Sequence, residues 1–255
     1  LEDDAKTKIT ITNLVSDFEQ EEDYTLMARR NSDNTNSRFV FTIEDDLKDQ
    51  NLKDLFNTEV GTVYGPYLTT QGVYRIAKLV EVQNRPDSVE ARHILIKPTE
   101  TMSLDSVNER INVIKAQVES GASFGVLAQQ NSEDQGSAIK GGDLGWFSEG
   151  AMVDEFNEAC FTSSRGDLSV VTSQFGVHLI EVTQISRKVK KAKIAYIDRN
   201  VEPSTETFNN YYSQAAQFAG KMLNAGIAFD SLVNEKNLVK RSDSKVQSDK
   251  QTIAG

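Results

Sequence analysis

Between Ala91 and Val182 the chain changes its apolar period in a fixed order, and that order limits the fold more than any other feature. Ala91 to Lys97 is a short, largely apolar run that predicts a strand. Leu104, Val107, Ile111, Ile114 and Val118 then recur three and four residues apart, which predicts an amphipathic helix over 103–120. Ser103 suits its N-cap and Gly121 its stop. A second short helix carries Phe124, Leu127 and Ala128, and residues 132–142 read as a polar, glycine-rich loop. A strand over 143–147 and a helix over 153–161, apolar at Val153, Phe156, Ala159 and Cys160, come next. Strands over 168–173 and 176–182 form a closing hairpin. The order β-α-α-loop-β-α-β-β predicts an α+β domain, with the last strand returning beside the first in a small, mostly antiparallel sheet.

At 255 residues the chain exceeds one typical domain, so two are expected. No apolar run approaches the roughly 18 residues of a membrane helix. Residues 1–20 are too acidic and polar for a signal peptide. The chain begins at Leu1 without a methionine, so a fragment is expected, with targeting and anchoring signals outside it. A net charge of −10 argues against nucleic acid, which is bound by neutralising phosphates. Cys160, the one cysteine, excludes an internal disulfide. It lies in the apolar run Ala159-Cys160-Phe161 and reads as a buried structural thiol. Two histidines and one cysteine, far apart, show no metal-ligand spacing, so neither metal nor cofactor is expected.

The flanks are harder to read. Ile9 and Ile11 alternate, which suggests a strand, and residues 31–37 look like a loop. Residues 44–57 suggest a short helix with Leu47, Leu52, Leu55 and Phe56 on its apolar face. Two strands joined by a turn follow Gly61 and Gly72, and residues 84–88 and 186–190 read as linkers. Ala192 to Ile197 predicts a strand. Pro203 and Ser204 precede a helix with Phe208, Tyr211, Tyr212, Ala215, Phe218 and Met222. Another short helix begins near Gly226, and the tail from Lys240 reads as frayed.

The central residues resemble the parvulin family of peptidyl-prolyl cis/trans isomerases. The matching pieces are Arg92-His93-Ile94-Leu95, Ser123-Phe124 with Leu127-Ala128, Ser132-Glu133-Asp134, the run from Gly141 to Phe147, Met152 with Phe156, and the run from Phe175 to Ile180. They stand in the family's order and spacing, so the set is far more specific than any one piece. The flanks, notably Val63 to Tyr67, resemble those of bacterial envelope chaperone-isomerases of the PpiD and SurA kind.

The resemblance implies a proline pocket lined by Leu144, Met152 and Phe156, with Phe175 closing one side. Met152 and Phe156 are four apart and so share a helix face, although all three could be plain core residues. It implies that His93 and His178 sit on adjacent strands in a hydrogen-bonded network that Ser173 joins, holding tautomers rather than acting as acid or base. Asp134 stands where the family has a cysteine or an aspartate near the rotating carbonyl; an exposed loop acid is the alternative. Unfolded or partly folded proteins with X–Pro bonds are the implied partners, in the periplasm, with membrane contact only through parts outside this chain. In one respect the chain departs from phospho-directed parvulins. The loop after the first strand holds Lys97 and Glu100 with no arginine fork, so no preference for phosphorylated substrates is expected.

The flanks also echo the centre. Gly72 to Ile76 aligns with Gly176 to Ile180, and Asn224 to Leu232 with Glu119 to Leu127, at nearly the same offset. Residues 1–86 thus look like the second half of a degenerate parvulin-like module and residues 190–255 like the first half, around a complete domain at 89–186. Tyr74 replaces one histidine, and Ile194 stands near the place of the other. The halves either pair as one split, inactive module or belong to two truncated neighbours. An isomerase is the leading function and a non-catalytic, client-binding chaperone the alternative.

Overall fold

The computed structural model describes residues 2–35 and 37–240; the tail from 241 onward lies outside them. The chain divides into a larger compact unit, Lys6–Asn200, and a smaller one built mainly from the chain after Val201.

The larger unit contains two four-stranded antiparallel sheets. The first uses β4 (Ser88–Ile96), β5 (Asp143–Ser148), β6 (Leu168–Ser173) and β7 (Gly176–Ile185), in the order β5-β4-β7-β6. The last strand therefore lies beside the first, with His93 opposite Ile180 and Leu95 opposite His178. Because side chains alternate across a strand, β4 and β7 feed two cores. On one face Ile94, Ile96, Val177 and Leu179 pack with Val107, Ile111 and Ile114 of α5 (Leu104–Glu119) and with Phe124 of α6 (Phe124–Asn131). On the other, Val89, Ala91, Ile180 and Val182 meet Phe156, Cys160 and Phe161 of α8 (Asp154–Thr162). Each such large apolar side chain contributes roughly 1.5–3 kcal/mol by leaving water. As read from the sequence, Ser103 caps α5, accepting from the Ser106 N–H at 3.3 Å. The chain leaves α5 through Gly121 at φ +98°.

The segment over 132–142 is not all loop. It contains α7 (Gln135–Ala138), whose N-cap Asp134 accepts from the Gly136 N–H at 3.2 Å. Gln, Gly, Ser and Ala carry no apolar period, so the cap alone marks this turn of helix.

The second sheet has the order β1-β8-β3-β2, from β1 (Phe41–Thr42), β2 (Val63–Leu68), β3 (Val73–Pro86) and β8 (Lys188–Asn200). The chain on both sides of the first sheet thus shares one ladder: β3 and β8 pair from Val73 opposite Asn200 to Pro86 opposite Lys188. The segments read as linkers are the end of this ribbon; Arg85 faces Val189, and the Asp87 N–H bonds the Arg187 carbonyl at 3.0 Å. Pro86 fits because it ends its strand, where a missing N–H costs least. The expected helix over 44–57 is a 3₁₀ turn at Glu44–Asp46 followed by α4 (Gln50–Phe56). Its Leu52, Leu55 and Phe56 pack on Ala77, Leu79, Ala192 and Ile194. On the opposite face Lys78 is buried beneath α2 (Val15–Gln20), and its ammonium donates to the carbonyls of Phe18, Glu19 and Glu21 at 2.8–3.0 Å. A cation at a helix C-terminus meets the negative end of its dipole, which offsets the desolvation. The helix α3 (Tyr24–Asn31) leads into the loop before β1.

The N-terminus corrects one expectation. Ile9 and Ile11 lie on a helix, α1 (Glu2–Thr12), with Ile11 buried and Ile9 exposed. Two alternating isoleucines are too short a pattern to decide the period. The acids Glu2, Asp3 and Asp4 in the first turn favour a helix. In the smaller unit, α9 (Thr205–Ala225) is capped by Ser204, and α10 (Phe229–Glu235) follows Gly226 at φ +62°.

Gly142 ties this fold to the site described next. Its φ is +87°, and its carbonyl accepts the His93 N–H at 2.9 Å. A Cβ there would stand 2.4 Å from the His93 carbonyl oxygen, whereas one on Gly145, also at positive φ, would meet nothing within 4 Å. Gly145→Ala is therefore expected to cost about 1 kcal/mol and Gly142→Ala several times that, measured by urea unfolding.

Candidate functional site

Four polar side chains from three segments form one hydrogen-bonded chain. Ser173 at the end of β6 bonds His178 of β7, with Oγ 2.7 Å from Nε2. The two imidazoles meet through their Nδ1 atoms at 3.2 Å, with rings nearly parallel. His93 Nε2 lies 2.8 Å from Asp134 Oδ2. Both histidines are buried, and the Asp134 carboxylate is about one-third exposed.

The loop holding Asp134 is fixed to β4 past the end of β5. The Glu133 N–H donates to the Leu95 carbonyl at 2.7 Å, and the Leu95 N–H donates to Ser132 Oγ at 3.1 Å. Ser137 of α7 donates its hydroxyl to Asp134 Oδ2 at 2.6 Å and lies 3.1 Å from His93 Nε2. Sequence reading missed Ser132 and Ser137. Ser132 stands in the matching piece Ser132-Glu133-Asp134, which gave it no role, and Ser137 belongs to the polar stretch after it, where only its contact with Asp134 distinguishes it.

The charges follow from this geometry. The Ser137 hydroxyl holds the Asp134 carboxyl below its ordinary value, against burial and with help from the His93 bond. An ionised Asp134 can only accept, so the His93 Nε2–H donates to it. With neutral rings, His93 Nδ1 then accepts from His178 Nδ1–H, and His178 Nε2 accepts from the Ser173 hydroxyl. Ser173 in turn accepts the Phe175 N–H at 3.1 Å. Every donor thus has an acceptor, and all protons point toward Asp134. Burial pushes His178 down to about 4, with the neighbouring His93 adding to the shift and Asp134 opposing it. At neutral pH His178 is an uncharged ring.

Phe156 lies beneath this pair, with its ring edge-on to both imidazoles at centroid distances of 5.6 and 5.2 Å. Leu144 and Met152 pack against the same cluster. The structure therefore gathers Leu144, Met152 and Phe156 beside His93, His178, Ser173 and Asp134. Phe156 is buried, so it is a core residue. Phe175 is exposed in the β6–β7 turn, bound to the site through its backbone. Cys160 is buried, and burial pushes its thiol up to about 12, which leaves no thiolate for nucleophilic chemistry.

The strands of the flank sheet carry no histidine. Taking Tyr74 as the counterpart of His178, the register puts Ile197, opposite Ile76, in the place His93 holds opposite Ile180. This corrects the position expected at Ile194. Tyr74 is buried, Tyr67 donates to Asp49 at 2.8 Å, and Tyr64 is partly exposed. Arg75 is paired with Asp198 through two bonds of 2.7 and 2.8 Å and lies over the Tyr196 ring.

The chain is similar in sequence to several known proteins. Chaperone SurA of Methylococcus capsulatus is 39% identical over 129 residues, 49% of this chain and 28% of that protein. Chaperone SurA of Legionella pneumophila is 33% identical over 211 residues, 77% of this chain and 47% of that protein. The chain spans less than half the length of these relatives. Among solved structures, the peptidylprolyl isomerase PrsA from Bacillus anthracis is 27% identical, covering 62% of this chain and 64% of that one, with a TM-score of 0.33. The family model described as the PPIC-type PPIASE domain matches residues 74–186, a stretch that takes in the whole β5-β4-β7-β6 sheet and all four members of the hydrogen-bonded chain. This chain therefore carries a PPIC-type PPIase domain of the parvulin kind.

Proposed function

We propose that this chain catalyses cis/trans exchange of X–Pro bonds in unfolded or partly folded proteins of the bacterial cell envelope. The observation that carries the reading is the closed hydrogen-bond chain from Ser173 to Asp134, laid against Phe156. An X–Pro bond resists rotation through amide resonance, a barrier of about 18–20 kcal/mol. No covalent step is needed; the site must favour the twisted amide, whose nitrogen has lost its double-bond character. Leu144, Met152 and Phe156 offer an apolar seat for the proline ring. The imidazole chain and ionised Asp134 set a fixed field beside the rotating carbonyl without reorganising as it turns. The buried histidines position this field, and Asp134 is more exposed than the His93 it bonds.

A client-holding chaperone without turnover is the second reading, favoured by the likeness to Chaperone SurA. The flank sheet supports it as well. Under the correspondence of β3 with β7 and β8 with β4, its order β1-β8-β3-β2 runs as β5-β4-β7-β6 does, with no histidine pair. We take it as a degenerate, non-catalytic copy. No helix among the described residues is long and apolar enough to cross a membrane.

The first test is exchange NMR on the whole chain with short, unphosphorylated X–Pro peptides. Enhanced cis/trans cross-peaks are expected. Their absence for every residue tried before proline, with peptide binding retained, leaves the chaperone reading. Phosphorylating the residue before proline is expected to bring no gain.

Two variants separate pocket from field. Phe156→Ala is expected to reduce turnover by about tenfold or more and to cost about 3–5 kcal/mol of stability. Asp134→Asn is expected to slow exchange by about tenfold, near 1.4 kcal/mol in the barrier, without abolishing it. An unchanged rate in Asp134→Asn would return this residue to the role of a loop acid.

The pH dependence follows from His178. Its folded value of about 4 lies below the ordinary 6.5, so between these values the unfolded chain binds a proton that the folded chain refuses. The stability it contributes is complete above pH 6.5 and is lost as pH falls toward 4. Urea unfolding is expected to show a decline of the order of 2–3 kcal/mol across this window. The decline should flatten in His178→Asn.

A further inference from the structure

We propose that Arg38, from the flank, is a positioning residue for the proline pocket: it holds the backbone of the loop that carries Met152. The proposal rests on the isomerase reading for its catalytic consequence. Its structural basis is independent of that reading.

The loop in question joins β5 to α8 through Glu149, Gly150, Ala151, Met152 and Val153. Its sharpest point is Gly150, at φ +84°. From within the domain it is held by few bonds; the Gly150 N–H donates to Asn157 Oδ1 at 2.7 Å and the Ala151 N–H to the Ser148 carbonyl at 3.2 Å. Its carbonyls are held from outside. Arg38 Nη2 donates to the Met152 carbonyl at 2.8 Å, and Nη1 to the Gly150 carbonyl at 3.3 Å. Nε donates to Asp154 Oδ1 at 3.1 Å, at the first residue of α8. One guanidinium thus spans both sides of the loop and the start of the helix that carries Phe156. The planar fork reaches these acceptors from separate nitrogens, spread wider than the single nitrogen of an ammonium. Val40, two residues on, packs against Gly150 closely enough that a Cβ there would stand 3.1 Å from its Cγ2.

The start of the same loop is anchored by buried charge. Glu149 is almost wholly buried, and its two carboxylate oxygens meet Arg85 Nη2 at 2.7 Å and Lys191 Nζ at 3.0 Å. Arg85 belongs to β3 and Lys191 to β8, so both come from the ribbon of the flank sheet. Arg85 lies over the Phe41 ring and Lys191 over Phe161 of the domain core. The flanks therefore fix this loop at its first residue through Glu149 and along its length through Arg38. Met152, which packs on the cluster beside Phe156, takes its place from that backbone.

Arg38 is the residue to test because it is about half exposed, and exposed ion pairs add little to global stability. In the whole chain, Arg38→Ala is expected to leave the unfolding midpoint unchanged. It should raise KM for an X–Pro peptide by about fivefold, with kcat within about twofold, because it loosens the seat and leaves the histidine chain intact. The ¹³C-methyl signal of Met152 should shift and broaden while the imidazole signals of His93 and His178 stay in place. Arg38→Lys should recover only part of the KM. Asp154→Asn, which removes the ion pair but keeps the carbonyl contacts, should behave more like the unchanged chain than Arg38→Ala does. A Met152 signal and a KM that are both unmoved in Arg38→Ala overturn the proposal. If the unchanged chain itself shows no enhanced exchange, the isomerase reading fails, and the Met152 methyl signal alone decides whether Arg38 positions the loop.

Discussion

The pairing of β3 with β8 is the contact on which the rest of the arrangement depends. The strands are separated in sequence by the whole β5-β4-β7-β6 sheet, yet they form the longest ladder of the flank sheet. Closing so long a loop would ordinarily cost conformational entropy before any ladder bond formed. Here the inserted domain removes most of that cost. Its first and last strands are neighbours, with Val89 opposite Ile185, so folding of the domain brings its two ends together. The ribbon then continues from that pairing through Arg85 and Lys188, without a slack joint. Its register fixes where Arg85 and Lys191 emerge, and both reach Glu149.

Most buried polar groups among the described residues have a partner, while Glu149 Oε1, Arg85 Nε and Arg199 Nε are buried without a hydrogen bond. The four-member chain at the site contains two imidazoles, a hydroxyl and one ionised carboxylate that keeps contact with water. A neutral His178 avoids the desolvation of a second charge, and one consistent direction of donors leaves no lone pair facing another. Lys78 is dealt with differently: three helix-end carbonyls surround one ammonium. Glu149 follows a third pattern, one carboxylate between two cations. Breaking such a pair from one side leaves an uncompensated charge, which costs far more than the pair contributes when intact.

The central domain was legible because its sequence signals are local and repeated. The spacing of Val107, Ile111 and Ile114, the cap at Ser103 and the stop at Gly121 each act within a few residues, and the structure follows them. The site was legible only through resemblance, since no periodicity would bring Asp134 to His93. What sequence reading missed depends on tertiary contact. The helix at α1 was misread because two isoleucines alone cannot separate a period of two from 3.6. The ribbon at residues 84–88 was read as a linker because Asn84, Arg85 and Pro86 look like turn residues until β8 lies beside them. Arg38 gave no signal, being one polar residue after a polar run, and its meaning comes from the two carbonyls it reaches.

The two sheets show what separates a site from a scaffold when the strand order is the same. In the first sheet, the register places an imidazole on each central strand, and each has a second nitrogen free to continue the network. In the second, under the proposed correspondence, the pair is Tyr74 and Ile197, and an isoleucine side chain can neither donate nor accept. The polar character of that sheet lies instead in Arg75 and Asp198, a charge pair with two bonds that answers its own needs. The Asp198 bonds and charge raise the Arg75 guanidinium above its ordinary value, against the effect of burial, so it stays charged and paired at any ordinary pH. Such a pair supports a rigid surface, with both carboxylate oxygens engaged by one guanidinium. The imidazole chain instead ends on a carboxylate that keeps contact with water. The difference in chemistry thus comes from which residues the ladder sets opposite each other.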